Sequence, residues 1–440
     1  TVATWARARS GDPWFTLFTT QLGTLAAGPT GAARRCMDAT LDQTIRDGLD
    51  AARARTEPPP DAVVVPLIPT ARYTDPAFHE LERARIFGRT WLFAGHESEW
   101  PDAGSYRLCT RSGAPIVVVR GEDGVLRAFY NACRHRGAPV TRDACGTARR
   151  LTCQYHSWSY GTDGELKAVP DARSFAGLDT GALGLVPVRC ESWEGWVFVN
   201  EDPDAQPLTD YLGPICDQMV EIDGPSMRLV GTQVHHLACN WKLMVDAFLE
   251  VYHVRTVHPD NAALLYDDQA TTVAMLPNGH SRLTVDKREE LRDFPMVSPE
   301  FDNPSVPLLW RQTSTSFGIF PNLVVPMDTV AFTFLCMWPV DVGTTELELR
   351  WYAPAWEGDE VPEDHRFRME LFDTVMAQDT ANMAPIQASV SSRGARPFQI
   401  GWHERLIHHF QRAVDLAIGP DRLPPGTAVS DALDGFVESA

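Results

Sequence analysis

The sequence predicts an α+β protein in which a small all-β domain precedes a larger domain of helices and strands. At 440 residues the chain exceeds what one hydrophobic core usually organises. Short strand-like runs and turn signals dominate from Trp91 to Asn200, whereas helical and strand patterns mix after Pro203. The expected segments are an N-terminal extension of uncertain status (1–36), a helical segment packing on the larger domain (37–88), the all-β domain (89–205) and the α+β domain (206–440).

Composition excludes several classes of partner. The net charge of −19 argues against nucleic acid, which needs a basic surface. No apolar run reaches the roughly 18 residues of a membrane helix. The best, Val330–Val340, contains Thr333 and Pro339 and indicates a buried strand. Without a secretory signal, and with nine cysteines too scattered for a disulfide scaffold, the chain is expected to be cytoplasmic.

The first 36 residues differ from the rest of the chain in the pattern of their apolar residues. They show no sustained helical or strand period, whereas Met37 opens a segment with Leu41, Ile45 and Leu49 at helical spacing. One hypothesis is that Met37 is the biological start and that residues 1–36 are upstream translation.

Local signals predict the main elements. Asp75 is expected to cap a helix that has Pro76 at its first position and runs through Phe87. Turn signals at Asp123-Gly124 and Asp163-Gly164 separate the strands of the all-β domain. The predicted strands are Ile116–Val119, Leu126–Phe129, Trp196–Val199 and Leu347–Tyr352, and the later predicted helices are Asn240–Val257, Asp364–Met383 and Gly401–Ile418.

A first candidate metal site lies in the all-β domain. Cys133-x-His135 and Cys153-x2-His156 each put one thiolate and one imidazole on a tight loop. This pattern suits a [2Fe–2S] cluster with one iron on sulfur and the other on nitrogen, whose potential lies in the range of about −150 to +300 mV. Structural zinc is the alternative, but zinc loops usually pair like residues with like. The mixed spacing therefore favours the cluster.

A second candidate site follows in the larger domain. On a continuous helix Asp246, Glu250 and His253 would form one polar stripe. His258 comes five residues after His253, about 140° further round an ideal helix. Because Pro259 disfavours helical backbone at His258, we expect the helix to distort or end there. Two histidines and a carboxylate form the ferrous site that leaves open positions for O2.

These motifs resemble a known family. In the all-β domain, the segments Asn131-Ala-Cys-Arg-His-Arg-Gly-Ala138 and Cys153-Gln-Tyr-His-Ser-Trp-Ser-Tyr160 resemble the Rieske domain of ring-hydroxylating oxygenase α subunits. In the larger domain, Asn240-Trp241-Lys242, Glu250, Tyr252-His253 and His258 resemble the catalytic domain of the same subunits. The likeness runs loosely from Pro69 to Phe410 and implies a catalytic domain of the helix-grip, START-like type.

The resemblance implies a role for each site residue. Cys133, His135, Cys153 and His156 would ligate the cluster, while His253 and His258 would bind a mononuclear Fe(II). Its third ligand would be Asp379 in the segment Gln378-Asp379-Thr-Ala-Asn382, with Asp373 as the weaker candidate. Asp246, close to these residues in sequence, is a further candidate for the catalytic site.

The same resemblance makes Glu250 a bridge between subunits. It would hydrogen-bond His253 and the cluster histidine, His156, of a neighbouring chain, which implies a homotrimer, with or without a small β subunit. Many aromatic-ring dioxygenases carry Asp at this position. In having Glu at this position, the chain resembles the monooxygenases that act beside a quaternary nitrogen.

The predicted activity is that of a terminal oxygenase. The chain has no nucleotide-binding G-x-G-x-x-G after a strand and no plant-type cluster motif, so electrons would come from a separate ferredoxin or NAD(P)H-dependent reductase. The substrate would be an aromatic or other small organic molecule, hydroxylated once or twice. The alternatives are a monooxygenase or N-demethylase of a quaternary ammonium compound, a Rieske electron-transfer protein without oxygenase activity, and a binding protein with a decayed site.

Overall fold

The computed structural model describes residues 39–219, 223–292, 306–327 and 332–438. The predicted N-terminal extension and its hypothetical start at Met37 lie outside the described residues.

Two β-sheets form the all-β part of the chain. A seven-stranded sheet has the strand order β1-β10-β9-β4-β3-β2-β5, and a three-stranded sheet has the order β6-β7-β8. Every pairing between these strands is antiparallel. The strands are β1 (Leu92–His96), β2 (Ser105–Cys109), β3 (Ile116–Arg120), β4 (Leu126–Tyr130), β5 (Cys145–Thr147), β6 (Arg150–Thr152), β7 (Ser159–Gly161), β8 (Leu166–Ala168), β9 (Pro187–Trp193) and β10 (Trp196–Asn200).

The strands predicted in this region are confirmed. β3 is buried on both faces from Ile116 to Val119, which explains its unbroken β-branched run. It joins β4 through a turn in which Gly124 has φ +79°, a conformation that glycine adopts without strain. Gly164 plays the same part between β7 and β8, with φ +85°.

The larger domain is built on one seven-stranded sheet. Its order is β11-β17-β16-β15-β14-β13-β12, with every neighbouring pair antiparallel. The strands are β11 (Met227–Leu237), β12 (Tyr266–Met275), β13 (Ser281–Lys287), β14 (Thr313–Ile319), β15 (Leu323–Met327), β16 (Phe332–Asp341) and β17 (Thr344–Pro354). The strands predicted at Val330–Val340 and Leu347–Tyr352 correspond to β16 and β17.

Helices pack on this sheet and complete the α+β fold that the sequence predicts. The α-helices are α1 (Ala39–Arg53), α2 (Pro76–Glu82), α3 (Leu208–Leu212), α4 (Pro214–Met219), α5 (Trp241–Ala247), α6 (Val254–Val257), α7 (Ala262–Leu265), α8 (Leu308–Gln312), α9 (Glu363–Val390) and α10 (Arg405–Ile418). α9 lies against β11, α5 against β16 and α10 against β12. α1 also contacts β12, with Ile45 and Leu49 buried. In the described part of the chain no helix is long and apolar enough to cross a membrane.

One predicted helix is wrong, and the error matters for the site. The helix expected over Asn240–Val257 ends at Ala247, and only the single turn α6 follows. The Glu250 carboxylate instead accepts from the backbone amides of Tyr252 and His253. Such local bonds from a side chain to the backbone compete with helix propagation. The polar stripe expected on one helix face therefore does not form.

The other predicted helices differ less from the observed ones, and only at their ends. The Asp75 side chain accepts from the amide of Ala77 and caps α2 as predicted. α9 continues through Pro385 to Val390, beyond the predicted end at Met383. α10 begins at Arg405 instead of Gly401, because residues 402–404 form a 3₁₀ turn.

Charged side chains join the two sheets. Glu99, which follows β1, is hydrogen-bonded by Tyr352 of β17 at 3.0 Å and paired with Arg350. Arg111, which follows β2, contacts Glu346 at 3.0 Å and Glu348 at 3.2 Å. The small domain is thus fastened to the end of the large sheet that carries β11 and β17.

Candidate metal centres

Two tight loops carry the first ligand set. Cys133 donates its amide hydrogen to the carbonyl of Ala138 and accepts from the amide of Gly137, each at 2.8 Å. In the second loop Cys153 and Trp158 close the same kind of turn, at 2.9 Å, and the amide of Ser157 donates back to the Cys153 carbonyl. These bonds bend each loop so that its cysteine and histidine project from one tip.

The donor atoms at the loop tips fit a two-iron cluster. Cys133 and Cys153 are free and only 4% and 1% exposed. The His135 and His156 rings lie 4.6 Å apart between centroids, and His135 Nδ1 is buried with no hydrogen-bond partner. In the described chain no three of the four donor atoms lie within 4.8 Å of one another. A single zinc ion would need that closeness, because its bonds are about 2.0–2.3 Å long.

Aromatic groups surround this ligand set. Trp158 stacks on the His135 ring, with centroids 5.0 Å apart and planes 8° from parallel. The hydroxyl of the buried Tyr160 lies 3.2 Å from Cys133 Sγ and accepts from the Arg134 amide. Hydrogen bonds to ligating sulfur are one means by which a protein sets a cluster's potential.

The other edge of the ligand set faces solvent. His156 Nε2 lies 3.0 Å from a guanidinium nitrogen of Arg136, which also sits over the Tyr155 ring. Tyr155 is 57% exposed. His156 is therefore the ligand that another protein surface can reach.

The second site gathers three side chains from two distant segments. His253 and His258 flank α6, and Asp379 comes from the middle of α9. Asp379 Oδ1 lies 2.8 Å from His258 Nε2 and 3.6 Å from His253 Nε2. The three donor atoms lie within 4.8 Å of one another, and this is the metal-binding group found among the described residues.

The chain departs from helical geometry at His258, as the sequence predicts. The residue has φ −119° and ψ 44°, and α6 ends directly before it. The His258 imidazole therefore approaches Asp379, at 2.8 Å, from a direction that a regular helix would not allow.

Outer hydrogen bonds fix the tautomer of both histidines. His253 Nδ1 donates to the Glu250 carboxylate, and His258 Nδ1 donates to Gln378 Oε1 at 2.8 Å. Gln378 Oε1 also accepts from Asn261 at 2.9 Å. With Nδ1 carrying the proton in each ring, the two Nε2 lone pairs are left for a metal ion.

The electrostatics of this site favour a cation. Burial lowers the pKa of His253, but its hydrogen bond with Glu250 and the charge of Asp379 outweigh burial, so the pKa lies above the ordinary value. Burial likewise lowers the pKa of His258, and Asp379 and Gln378 reverse the shift. The same carboxylates that stabilise a proton on these rings would stabilise a divalent cation bound in its place, and the donor set of two histidines and one carboxylate is that of ferrous oxygenases.

Two other predicted residues take part in different interactions. The Asp246 carboxylate accepts from Tyr73 at 2.6 Å and from Gln411 at 3.1 Å, in a buried network on the far side of the helix break. Asp373, the weaker candidate for the third ligand, lies 3.0 Å from His235 of β11. Neither belongs to the group formed by His253, His258 and Asp379.

Sequence reasoning gave no role to Tyr160, Gln378 or Asn261. Only the adjacency of Gln378 to Asp379 offered a signal, because neighbouring positions on a helix that approaches a site can both reach it. Tyr160 and Asn261 carry no spacing that marks them.

Family models match both parts of the chain. Residues 90–187 match the Rieske [2Fe-2S] domain, and residues 225–419 match the catalytic domain of the ring hydroxylating alpha subunit. The two regions contain the first and the second ligand set respectively.

Relatives fall into two groups. The biphenyl 2,3-dioxygenase subunit alpha of Rhodococcus jostii strain RHA1 is 39% identical over 190 residues, which is 42% of this chain and 41% of that subunit. The carnitine monooxygenase oxygenase subunit of Escherichia coli K12 is 29% identical over 335 residues, which is 75% of this chain and 85% of that subunit.

Solved structures share the fold. The quaternary ammonium Rieske monooxygenase CntA in complex with L-carnitine superposes with a TM-score of 0.68 at 25% identity, over 80% of this chain and 95% of that one. Naphthalene 1,2-dioxygenase from Rhodococcus sp. gives a TM-score of 0.67 at 23% identity, over 87% and 99%, a likeness of fold alone. With both ligand sets inside the matched domains, the chain belongs to the Rieske non-haem iron oxygenases, as an oxygenase α subunit.

Proposed function

We propose that this chain is the terminal oxygenase of a multicomponent system, which inserts oxygen from O2 into a small organic substrate with electrons from a separate ferredoxin or reductase. The convergence of His253, His258 and Asp379 carries the proposal, because an electron-transfer protein with the Rieske site alone would have no use for it. Outer hydrogen bonds on both histidines also argue against a decayed site.

Each ligand set has a distinct duty in this proposal. Cys133, His135, Cys153 and His156 would hold the [2Fe–2S] cluster, and the facing histidines with Asp379 would hold Fe(II). When bound, these groups supply single electrons and a place for O2. The chain itself positions the ligands and keeps water away: Leu249, next to Glu250, is 4% exposed and His258 only 2%.

Glu250 would couple the two sites across a subunit boundary. Its carboxylate holds the proton on His253 Nδ1, and its neighbour Tyr252 is 59% exposed. Within one described chain no hydrogen bond joins Glu250 to His156, whose Nε2 faces outward. A homotrimer in which each His156 meets the next chain's Glu250 would supply that connection, in keeping with the family resemblance.

Metal analysis tests the proposal directly. Protein purified without oxygen should contain two irons and two acid-labile sulfides for the cluster and one further iron, with a rhombic EPR signal of Rieske type after reduction. Asp379→Asn should lose the further iron selectively, while Asp373→Asn keeps it.

Other compositions would contradict the proposal in different ways. Zinc without sulfide would remove both the cluster and the function. A normal cluster whose second site takes up no added Fe2+ would leave an electron-transfer protein. Equal loss of iron from both aspartate variants would reject Asp379 as the particular ligand.

A quaternary ammonium substrate is the second candidate. Two points favour it: the position proposed above as the bridge carries Glu250, and the alignment with the carnitine monooxygenase subunit covers 75% of this chain, against 42% for the biphenyl enzyme.

Parallel assays with a surrogate reductase would decide between the classes. Substrate-dependent O2 uptake and product analysis with carnitine, γ-butyrobetaine and biphenyl would be compared. Oxygenated biphenyl without turnover of either ammonium compound would favour an aromatic substrate and reject the second candidate.

A further inference from the structure

One strand of the large sheet is closed on one face and partly open on the other. Along β14 burial alternates residue by residue: Thr315 and Phe317 are buried, whereas Ser314, Ser316 and Gly318 keep part of their surface accessible. Because successive side chains of a strand point to opposite faces, the three accessible residues share one face. We call Ser314, Ser316 and Gly318 the β14 wall. It borders a space that the described elements do not fill completely.

The buried face of β14 is the one that α1 covers. Gly48 of α1 lies directly against Thr272 of β12: a methyl group on Gly48 would come within 2.9 Å of Thr272 Oγ1. Thr272 is opposite Thr284 of β13, and Thr284 is opposite Thr315 of β14. Residues directly opposite each other in a sheet share a face. The β14 wall therefore faces away from α1.

The β14 wall faces the loop that carries the first iron-site histidine. A methyl group placed on Gly318 would lie 3.3 Å from the Leu249 side chain. Leu249 directly precedes Glu250, whose carboxylate accepts from His253 Nδ1. The loop of the proposed iron site thus packs on the same face of the sheet as the β14 wall.

The helix that carries Asp379 lies on this face as well. Phe372 of α9 packs on Trp351 of β17, with ring centroids 5.1 Å apart. Trp351 is two residues from Leu349 on the same strand and shares its face. One row of opposed residues connects that position to the β14 wall: Leu349, Leu335, Val324 and Gly318. All three ligands of the proposed iron site therefore come from segments packed on the side of the β14 wall.

The Ser316 hydroxyl is the unpaired polar group of this wall. Its oxygen is buried and has no hydrogen-bond partner among the described residues. Its directly opposed neighbours, Leu283 of β13 and Pro326 of β15, have side chains that neither donate nor accept. A buried hydroxyl without a partner is unfavourable and calls for an explanation. A molecule bound beside the iron ligands would supply the missing partner, because Ser316 is only two residues, about 7 Å, from the Leu249 contact at Gly318.

We propose that Ser316 orients the substrate of the oxygenase site. Its hydroxyl hydrogen-bonds an uncharged polar group of the substrate, such as a carbonyl or hydroxyl oxygen, and so turns another part of the molecule toward His253, His258 and Asp379. The proposal rests on the proposed oxygenase function. It adds a residue that determines specificity and a class of substrate: a neutral, mainly apolar molecule that carries one hydrogen-bonding group.

The side chains around Ser316 favour a neutral substrate over an ionic one. Leu283 and Val285 of β13 and Val324 of β15, on the same face, are apolar and at most 5% exposed. A quaternary ammonium group binds against carboxylates or aromatic faces, and a substrate carboxylate binds best to Arg or Lys. These neighbours provide none of those groups. The β14 wall therefore counts against the quaternary ammonium compounds named as the second candidate.

The test compares two pairs of probes that differ in one oxygen atom. Acetophenone has nearly the shape of α-methylstyrene, and benzophenone that of 1,1-diphenylethylene, but each ketone has a carbonyl oxygen where the alkene has a methylene group. Equilibrium dialysis with the oxygen-free holoprotein would measure binding without turnover. Ser316→Ala should lower the affinity for each ketone relative to its alkene by about 3- to 10-fold, the usual effect of one lost hydrogen bond. The matched control, Ser314→Ala, removes a hydroxyl from the same face and should leave both ratios unchanged.

Each contrary outcome has a distinct meaning. Unchanged ratios in Ser316→Ala, or the same loss in Ser314→Ala, would overturn the role of Ser316. Tighter binding of γ-butyrobetaine than of the neutral probes, or no binding of any neutral probe, would overturn the substrate class. In these cases a normal cluster and a third iron would leave the proposed function standing, whereas protein that takes up no third iron would refute that function itself.

Discussion

At the scale of single residues, hydrogen-bond partners orient the two histidines of the proposed iron site. Gln378 accepts from His258 Nδ1 and from Asn261, so its amide is held from two directions. The Glu250 carboxylate, a charged group, accepts from His253 Nδ1 and orients that ring. The two histidines are thus oriented by different chemistry, one by a neutral amide and the other by a carboxylate.

Gln378→Leu should weaken metal binding at the second site. Without an acceptor His258 Nδ1 loses its fixed proton, and changes of this kind typically reduce metal affinity about 10- to 100-fold. Titration of the iron-free site with Fe2+ or Co2+ would measure the change. Gln378→Glu keeps an acceptor and should retain most of the affinity, so equal loss in both variants would contradict the role.

Asp246 is a second single residue to test, because its pKa is raised in the folded protein. Burial raises this pKa to about 7, against the lowering effect of Tyr73, Gln411, Lys242 and Arg72. A carboxyl group whose pKa is higher in the folded state stabilises the fold most below its ordinary value of 3.8 and loses that contribution as pH rises through 7.

Asp246→Asn should therefore gain stability relative to the natural chain as pH rises from 4 to 8, by up to roughly 4 kcal/mol. Thermal midpoints of both proteins across this range would show the difference. Parallel curves would mean that Asp246 titrates normally in the fold.

At the scale of elements, a buried ion pair joins α2 to α5. Lys242 Nζ lies 2.5 Å from Glu82 Oε1, and both side chains are fully buried. Trp241 donates to the other Glu82 oxygen at 3.1 Å. α5 leads directly into the loop of Glu250 and His253, so this pair anchors the segment that enters the proposed iron site.

Lys242→Met should destabilise the protein by about 3–5 kcal/mol, because it leaves the Glu82 charge buried without its partner. Glu82→Gln/Lys242→Met should recover most of that loss, since the amide still accepts from Trp241 and carries no charge. Chemical denaturation would compare the variants. A double variant no more stable than the single one would show that packing, not charge, accounts for the loss.

At the scale of the whole molecule, Glu99 connects the domains that hold the two ligand sets. It contacts Arg350 and Tyr352 of the large sheet and Arg107 of its own domain at 3.3 Å. Burial raises its pKa, but Arg350 and Arg107 outweigh burial and hold the pKa below its usual range. The stability that it contributes is therefore present above pH 4.5 and lost as pH falls through the lower folded pKa.

Glu99→Gln should loosen the contact between the domains at neutral pH. The expected result is a lower thermal midpoint, or two transitions in calorimetry where the natural chain shows one, with less difference between the proteins in acid. Glu97→Gln is the control, because Glu97 is 38% exposed and pairs with Arg120 of its own domain. Equal effects of both substitutions would count against the coupling role.

The sequence by itself predicted the candidate metal ligands and determined what kind of protein carries them. Cys133 and His135, like Cys153 and His156, sit on single short loops, where spacing in the chain is nearly spacing in space. The strands around them could also be predicted, because the alternation of apolar and polar residues and the turn residues act over only a few positions. The break near His258 could also be expected from Pro259, because a proline acts on the residue directly before it.

Only the tertiary structure decided how the second site is completed. His258 and Asp379 are 121 residues apart in sequence, and Asp373 was an acceptable alternative until α9 packed with that residue beside His235. Likewise, α5 ends after Ala247, and Asp246 bonds to Tyr73 and not to the proposed iron ligands. These outcomes depend on how helix and sheet pack against each other, a long-range property that local periodicity does not encode.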